Sequence, residues 1–152
     1  MHIVYASETF DQSREPTLFL AGPTPRNKTV VSWRNQALEI LEKLEYHGTV
    51  FVPEPRTGPF PDYTIQISWE EEHLKKADLI LFWIPRDMNT LPGLTTNIEW
   101  GRWESSGKVV LGYPNESDHM RYIAHYAEKY KVPTFSTLED TLGKAVALLK
   151  TK

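Results

Sequence analysis

The hydrophobic pattern alternates between short, nearly continuous apolar runs and longer segments with helical spacing. Continuous runs of this length are typical of strands buried on both faces of a parallel sheet. Five such strands are predicted, with their runs opening at Thr17, Thr49, Asp78, Lys108 and Val132. The segment from His2 to Ala6 alternates weakly and is interpreted as a short edge strand.

Segments between these runs predict helices. Ser32 to His47 has apolar residues at three- and four-residue spacing, with Gly48 as the stop. Thr64 to Ala77 is the second predicted helix, and a capping pattern at Ser68 offers a later start for it. In this second helix Glu70 falls on the apolar stripe between Ile67 and Leu74, where a carboxylate is costly unless it is paired or functional.

Two further helices complete the pattern. One is expected to begin with Thr95 or Thr96 as its cap, and the last opens at the capping box from Ser136 to Glu139. A loosely patterned helix is expected between residues 115 and 131. Strands that alternate with helices predict an α/β fold, in which a doubly wound, five-stranded parallel sheet carries helices on both faces. With short right-handed crossovers, the expected strand order is 2-1-3-4-5.

Length and composition narrow the function classes. The 152 residues predict a single domain, residues 1–152. The net charge of −3 argues against a partner that is a nucleic acid polymer. The absence of Cys excludes disulfides and thiol chemistry. No apolar run is long enough to cross a membrane and the first residues do not resemble a signal peptide, so we expect a cytoplasmic protein without a membrane partner.

Several chemical signatures are missing from the sequence. It contains no Walker-type phosphate loop, no Gly-x-Gly-x-x-Gly and no Gly-x-Ser-x-Gly elbow. Its five His residues lack the spacing of metal ligands, so no metal site is predicted.

Carboxylates near strand ends remain as candidates, and each has a structural alternative. Two carboxylates beside an anomeric carbon can perform glycoside chemistry, one as nucleophile and one as acid. The four candidates are Glu70, Asp78, Asp87 and Glu99. Glu99 also completes a capping-box pattern with Thr96, Asp78 could bind neighbouring backbone N–H groups, and Asp87 could be a turn former.

Four segments resemble the nucleoside 2-deoxyribosyltransferases and their broader superfamily. They are Leu18-Phe-Leu-Ala-Gly-Pro, Ala77-Asp-Leu-Ile-Leu-Phe-Trp-Ile-Pro, Asn97-Ile-Glu-Trp-Gly and Ser106-Gly-Lys-Val-Val-Leu. The resemblance implies a flavodoxin-like sheet, a homo-oligomer, and exchange of the base of a 2′-deoxynucleoside without a cofactor. The partners it implies are nucleosides and free nucleobases. The superfamily also includes N-glycoside hydrolases of nucleoside monophosphates, and a non-catalytic nucleotide-binding domain is a third alternative.

The resemblance also assigns roles to single residues. It implies that Glu99 is the nucleophile and that Glu70 is the acid that contacts the base, with Asp78 or Asp87 assisting. The implied substrate-binding residues are Phe19, Ala21, Gly22, Pro23, Asp87 and Asn97, with the turn from Ala21 to Arg26 holding the sugar or a 5′-phosphate. The chain departs from the family pattern in three respects. Phe19 replaces a Tyr, and Gly93 replaces an acid whose role Asp87 would take. The neighbour-subunit residues that complete the family's site have no identified counterpart after Pro114.

Overall fold

Parallel strands form the centre of the computed structural model, which describes residues 1–11, 15–25, 29–59 and 62–151. In chain order they are β1 (His2–Tyr5), β2 (Thr17–Ala21), β3 (Thr49–Val52), β4 (Leu79–Trp83), β5 (Val109–Gly112) and β6 (Thr134–Phe135). Their order across the sheet is β1-β3-β2-β4-β5-β6. The predicted order of the five strands β2 to β6 is therefore confirmed, and β1 pairs with β3 as a sixth strand at one edge of the sheet.

Helices cover both faces of the sheet, as the sequence predicts. They are α1 (Trp33–Lys43), α2 (Tyr63–Lys76), α3 (Leu94–Trp103), α4 (Arg121–Lys129) and α5 (Leu138–Lys150). Successive strand residues point to opposite faces, so Leu20 belongs to the core under α1 and α5, while Phe19 belongs to the core under α2, α3 and α4. In the described part of the chain, no helix is both long and apolar enough to span a bilayer.

The end of α1 differs from the prediction. Ser32 caps the start, because its side chain accepts a hydrogen bond from the Arg34 N–H at 3.2 Å. The helix ends at Lys43, and Glu45 takes the left-handed conformation with φ of 53°. Gly48 is therefore not the stop; it lies where a Cβ would be 2.2 Å from the Pro16 carbonyl oxygen.

The starts of the other predicted helices also shift. Asp62 caps α2, and the Ser68 hydroxyl donates to the Thr64 carbonyl inside this helix, so the later start is wrong. The N-cap of α3 is Gly93, with φ of 61° and no side-chain hydrogen bond, so neither expected threonine caps it. Thr137 caps α5 in place of Ser136.

One close approach in the sheet yields a stability prediction. A Cβ on Gly112 of β5 would lie 2.1 Å from the Thr141 Oγ1 and 2.7 Å from the Trp83 ring. We expect Gly112→Ala to lower the free energy of unfolding by about 1–3 kcal/mol, since overpacking forces its neighbours to move. Gly143→Ala is the matched control, because a Cβ there meets nothing. It should stabilise α5 by about 0.5–1 kcal/mol. Urea unfolding checks both, and equal stability of the two variants would contradict the proposed clash.

Candidate active site

A cavity of about 160 Å³ opens at the carboxyl edge of the sheet, where ligands bind in open parallel sheets. Its walls come from the turn after β2, the start of α2 and the start of α3, together with one side chain of α1. The lining residues are Gly22, Pro23, Thr24, Arg34, Pro53, Tyr63, Gln66, Ile67, Glu70, Pro92, Gly93, Leu94, Thr95, Thr96 and Glu99.

Glu99 enters this cavity from α3. The helix begins at Leu94, so Thr96 and Glu99 both lie inside it, and the capping-box alternative for Glu99 is excluded. The pKa of Glu99 is raised to about 8, mainly because its carboxyl group is largely enclosed by protein. The negative charge of Glu70 contributes to this rise, and the positive charges of Arg34 and Arg102 oppose it.

Glu70 enters the same cavity from α2. It is half-buried, and burial raises its pKa above the ordinary range, although a hydrogen bond from Gln66 and the charge of Arg34 counteract the rise. The Gln66 Nε2 donates to the Glu70 Oε1 at 2.9 Å, which joins residues one helical turn apart. The expected apolar stripe was only partly right: Leu74 is buried, but Ile67 is 44% exposed and lines the cavity beside Glu70.

Glu70 and Glu99 form an interacting pair of acids. Burial disfavours the ionised form of each carboxyl group. The negative charge on one group also opposes ionisation of the other. Glu70 has the local hydrogen-bond donor, Gln66, which favours its ionised form. Burial therefore disfavours the doubly ionised form of the pair, and the titration belongs to both residues together.

Arg34 is the site residue that the sequence analysis missed. Its guanidinium is fully buried and donates to the carbonyl oxygens of Leu20 at 3.0 Å and Gly22 at 2.8 Å, and to the Thr24 hydroxyl at 3.2 Å. It also forms an ion pair of 2.5 Å with Glu54. A sequence signal existed, because a cation in the first turn of a helix opposes the helix dipole and calls for a local reason.

Glycines bring the walls of the cavity close together. Gly22 has φ of 148°, and a Cβ there would lie 2.1 Å from the Trp83 carbonyl oxygen. Gly93 has φ of 61°, and a Cβ there would lie 2.8 Å from the Pro23 ring. The residue that replaces the family's acid is thus a glycine needed for backbone conformation and for contact with the opposite wall.

Asp78 does not reach the cavity, which corrects its predicted catalytic role. It precedes β4 at the amino end of the strand, whereas the cavity lies at the carboxyl end. Its carboxylate accepts hydrogen bonds from the Thr17 N–H and the Thr17 hydroxyl, both at 2.9 Å. The structural alternative is therefore correct: Asp78 joins the starts of β2 and β4.

Four predicted substrate-binding residues also lie outside the cavity lining. Phe19 is 1% exposed and packs in the core, and Ala21 is fully buried. Asp87 is an exposed turn former, because its carboxylate accepts from the backbone N–H groups of residues 89 and 90, which lowers its pKa. Asn97 faces away and accepts a hydrogen bond from Arg86. Of the predicted binding turn, Gly22 and Pro23 line the cavity, while Arg26 lies outside the described residues.

The raised pKa of Glu99 predicts a pH dependence of stability. Folding raises this pKa from 4.5 to about 8, so its stabilising contribution is complete below pH 4.5 and is lost as the pH rises through 8. We expect Glu99→Gln to melt several degrees above the wild type at pH 8.5–9, with a much smaller difference near pH 5. Calorimetry of both proteins across this range checks it. Parallel pH profiles would contradict a buried, protonated Glu99.

Comparison with known proteins relates this fold and cavity to others. The model of the family described as nucleoside 2-deoxyribosyltransferase like matches residues 15–117. A 2-deoxyribosyltransferase from the psychrotolerant bacterium Bacillus psychrosaccharolyticus shares 24% identity over 88% of this chain and 95% of its own, with a TM-score of 0.62. A conserved protein from Enterococcus faecalis V583 shares 14% identity over 88% of this chain and 98% of its own, with a TM-score of 0.61. A search of curated protein sequences gave no match. Because the family model spans more than half of the sequence, the chain belongs to the nucleoside 2-deoxyribosyltransferase-like family.

Proposed function

We propose that this protein exchanges the nucleobase of a 2′-deoxynucleoside through a covalent deoxyribosyl intermediate on Glu99. The observation that carries the proposal is the pair of carboxyl groups, Glu70 and Glu99, which line one cavity and both have raised pKa values. A pair of acids that shares one proton supplies both components of glycoside chemistry, an acid for the leaving group and a carboxylate for the anomeric carbon.

The reaction starts from the singly protonated pair. The shared proton passes through Glu70 to a ring nitrogen or exocyclic oxygen of the base, so the base leaves with the electrons of the C1′–N bond. The Glu99 carboxylate then supplies the electron pair of a new C1′–O bond. Positive charge that develops at C1′ favours the ionised form of Glu99 at this moment. A second base attacks C1′ in the reverse sense, returns its proton to the pair, and releases Glu99.

The rest of the cavity would orient the substrate. The turn from Gly22 to Thr24, which is held by the hydrogen bonds of Arg34 and lines the cavity, would bind the sugar hydroxyls. Gln66 binds the Oε1 of Glu70 and thereby leaves the other carboxyl oxygen for the base. A homo-oligomer and a cytoplasmic location stay predictions, as do nucleosides and free nucleobases as partners.

Hydrolysis would pass through the same intermediate, with water in place of the second base. The two activities are separated by incubating a deoxynucleoside with and without a second free base. Formation of a new nucleoside supports transfer, whereas free deoxyribose in both incubations supports hydrolysis. If the deoxynucleoside binds but is cleaved in neither incubation, the result supports a non-catalytic nucleotide-binding domain.

The first test is the mass of the intact protein after it is mixed with a deoxynucleoside. We expect a gain of one deoxyribosyl group, located on the peptide that contains Glu99, because the covalent step precedes attack by the second base. Glu99→Ala should show no gain and no turnover. Asp78→Asn is the matched control, since Asp78 lies at the other edge of the sheet, and it should keep the adduct. An adduct on another residue, or full activity of folded Glu99→Ala, would refute the nucleophile.

The second test concerns Glu70 as the acid. Glu70→Gln should lower kcat by roughly 10²–10⁴-fold for an ordinary deoxynucleoside, the range of general acid catalysis. A substrate with a cationic base, N7-methyl-2′-deoxyguanosine, needs no proton on its leaving group. With this substrate the variant should be nearly as fast as the wild type. An equal loss with both substrates would assign Glu70 to binding or packing instead of proton transfer.

A further inference from the structure

A second cavity, of about 350 Å³, lies between α3 and α4. It meets α3 at Asn97, Trp100 and Gly101 and the C-cap of this helix at Glu104, whereas the first cavity meets the helix at residues 94–96 and 99. With 3.6 residues per turn, these two sets lie on opposite sides of α3. The second cavity is therefore separate from the pair of acids at Glu70 and Glu99.

A buried cation lines this second cavity. Arg86 follows β4 and is only 6% exposed. One nitrogen of its guanidinium donates to the Asn97 Oδ1 and another to the His119 carbonyl at 3.5 Å, but its Nε–H has no partner. Among the described residues, no ion pair includes Arg86. Nearby Asp118 acts on it only through its charge, and burial lowers the pKa of Arg86.

A second buried donor lines the same cavity. Trp100 is 3% exposed, and its indole N–H makes no hydrogen bond of ordinary geometry, although it interacts with the Glu104 carboxyl group. Buried polar groups are normally satisfied, and a buried charge is normally paired, because leaving either unmatched costs free energy. Two incompletely matched donors, one of them charged, at a single cavity therefore point to a ligand that accepts hydrogen bonds and carries negative charge.

The remaining walls suit a ligand with a flat apolar part. Tyr122 and Tyr126 of α4 line the cavity with their ring centroids 5.0 Å apart, and Tyr122 is 72% exposed. Glu104 is the acidic group of the lining; burial raises its pKa, while the charge of Lys129 and the Trp100 indole oppose the rise. The cavity thus combines donors at its base with aromatic rings at its rim.

We propose that the cavity between α3 and α4 binds a small aromatic anion, whose carboxylate or phosphate group accepts hydrogen bonds from Arg86 and Trp100. The aromatic part of the ligand lies against Tyr122 and Tyr126. An arginine with a free Nε–H is suited to this role, since a planar guanidinium can hold a carboxylate or phosphate through two parallel bonds. This site is distinct from the one used for base exchange and does not depend on Glu99.

Calorimetric titration of the full chain tests the proposal, with benzoate, phenyl phosphate and inorganic phosphate as probes and neutral benzamide as the matched control. We expect benzoate or phenyl phosphate to bind and benzamide not to bind. Arg86→Met should weaken binding by at least about tenfold, the effect of losing a charge-assisted hydrogen bond. Glu104→Gln should strengthen it, because a competing acid is removed. Exposed Arg121→Met controls for net charge and should bind as the wild type does.

Further readouts keep the test decisive if Arg86→Met does not fold. Titration with benzoate should shift one indole N–H signal in the NMR spectrum, and that signal should be missing in Trp100→Phe. Glu99→Gln should retain the binding, which separates this site from the proposed reaction. The proposal is overturned if no aromatic anion binds, or if Glu104→Gln leaves the affinity unchanged. It is also overturned if Arg86→Met only dissociates an oligomer, since the counter-ion is then a carboxylate of a second copy.

Discussion

The buried guanidinium of Arg34 is the interaction on which the candidate active site depends. From helix α1, it donates hydrogen bonds to the Leu20 carbonyl near the end of β2 and to the Gly22 carbonyl in the turn that follows. It also pairs with Glu54, which follows β3, so it joins three parts of the chain. The neighbouring Trp33 adds an indole hydrogen bond of 3.0 Å to the Pro23 carbonyl. Because a buried charge must be matched by acceptors, the geometry of this turn and the position of Arg34 determine each other.

Arg34 also sets the charge balance of the cavity. Its positive charge lowers the pKa of both Glu70 and Glu99, but it is already paired with Glu54 and hydrogen-bonded to backbone carbonyls. It therefore cannot neutralise the two acids fully, and burial dominates both pKa values. A stronger cation at this place would hold both carboxylates ionised and remove the proton that a leaving base requires. With this partial compensation, the pKa of both acids stays above its ordinary value.

The strands of the core could be predicted from sequence because a strand that is buried on both faces consists almost entirely of apolar residues, and such runs are visible in the sequence. The runs at Thr17, Thr49 and Asp78 lead to strands whose residues are all buried, and short crossovers leave few possible orders for them. Helix ends depend instead on single residues that compete for the same role. After α1, the left-handed residue is Glu45 and not Gly48. Gly48 has a different role, because it allows the close approach of the Pro16 carbonyl oxygen.

The site was predictable to the extent that strand direction was used. Asp78 and Glu99 are both acids near β4, but Asp78 comes before the strand and Glu99 after it, so they lie toward opposite edges of the sheet. Phe19 was assigned from resemblance alone, and its place in the middle of β2 gives it only core neighbours. Arg34 was missed because a cation is normally a surface residue, and its acceptors are backbone groups that no side-chain pattern reveals.

The position of Glu99 rests on a tertiary contact rather than on a local capping signal. Helix α3 starts without a side-chain cap, and its first turn is placed by Gly93, which lies against the Pro23 ring. Pro23 is fixed in turn by the hydrogen bond from Trp33. The turn that would hold the sugar and the helix that carries the proposed nucleophile are thus positioned by one continuous set of contacts.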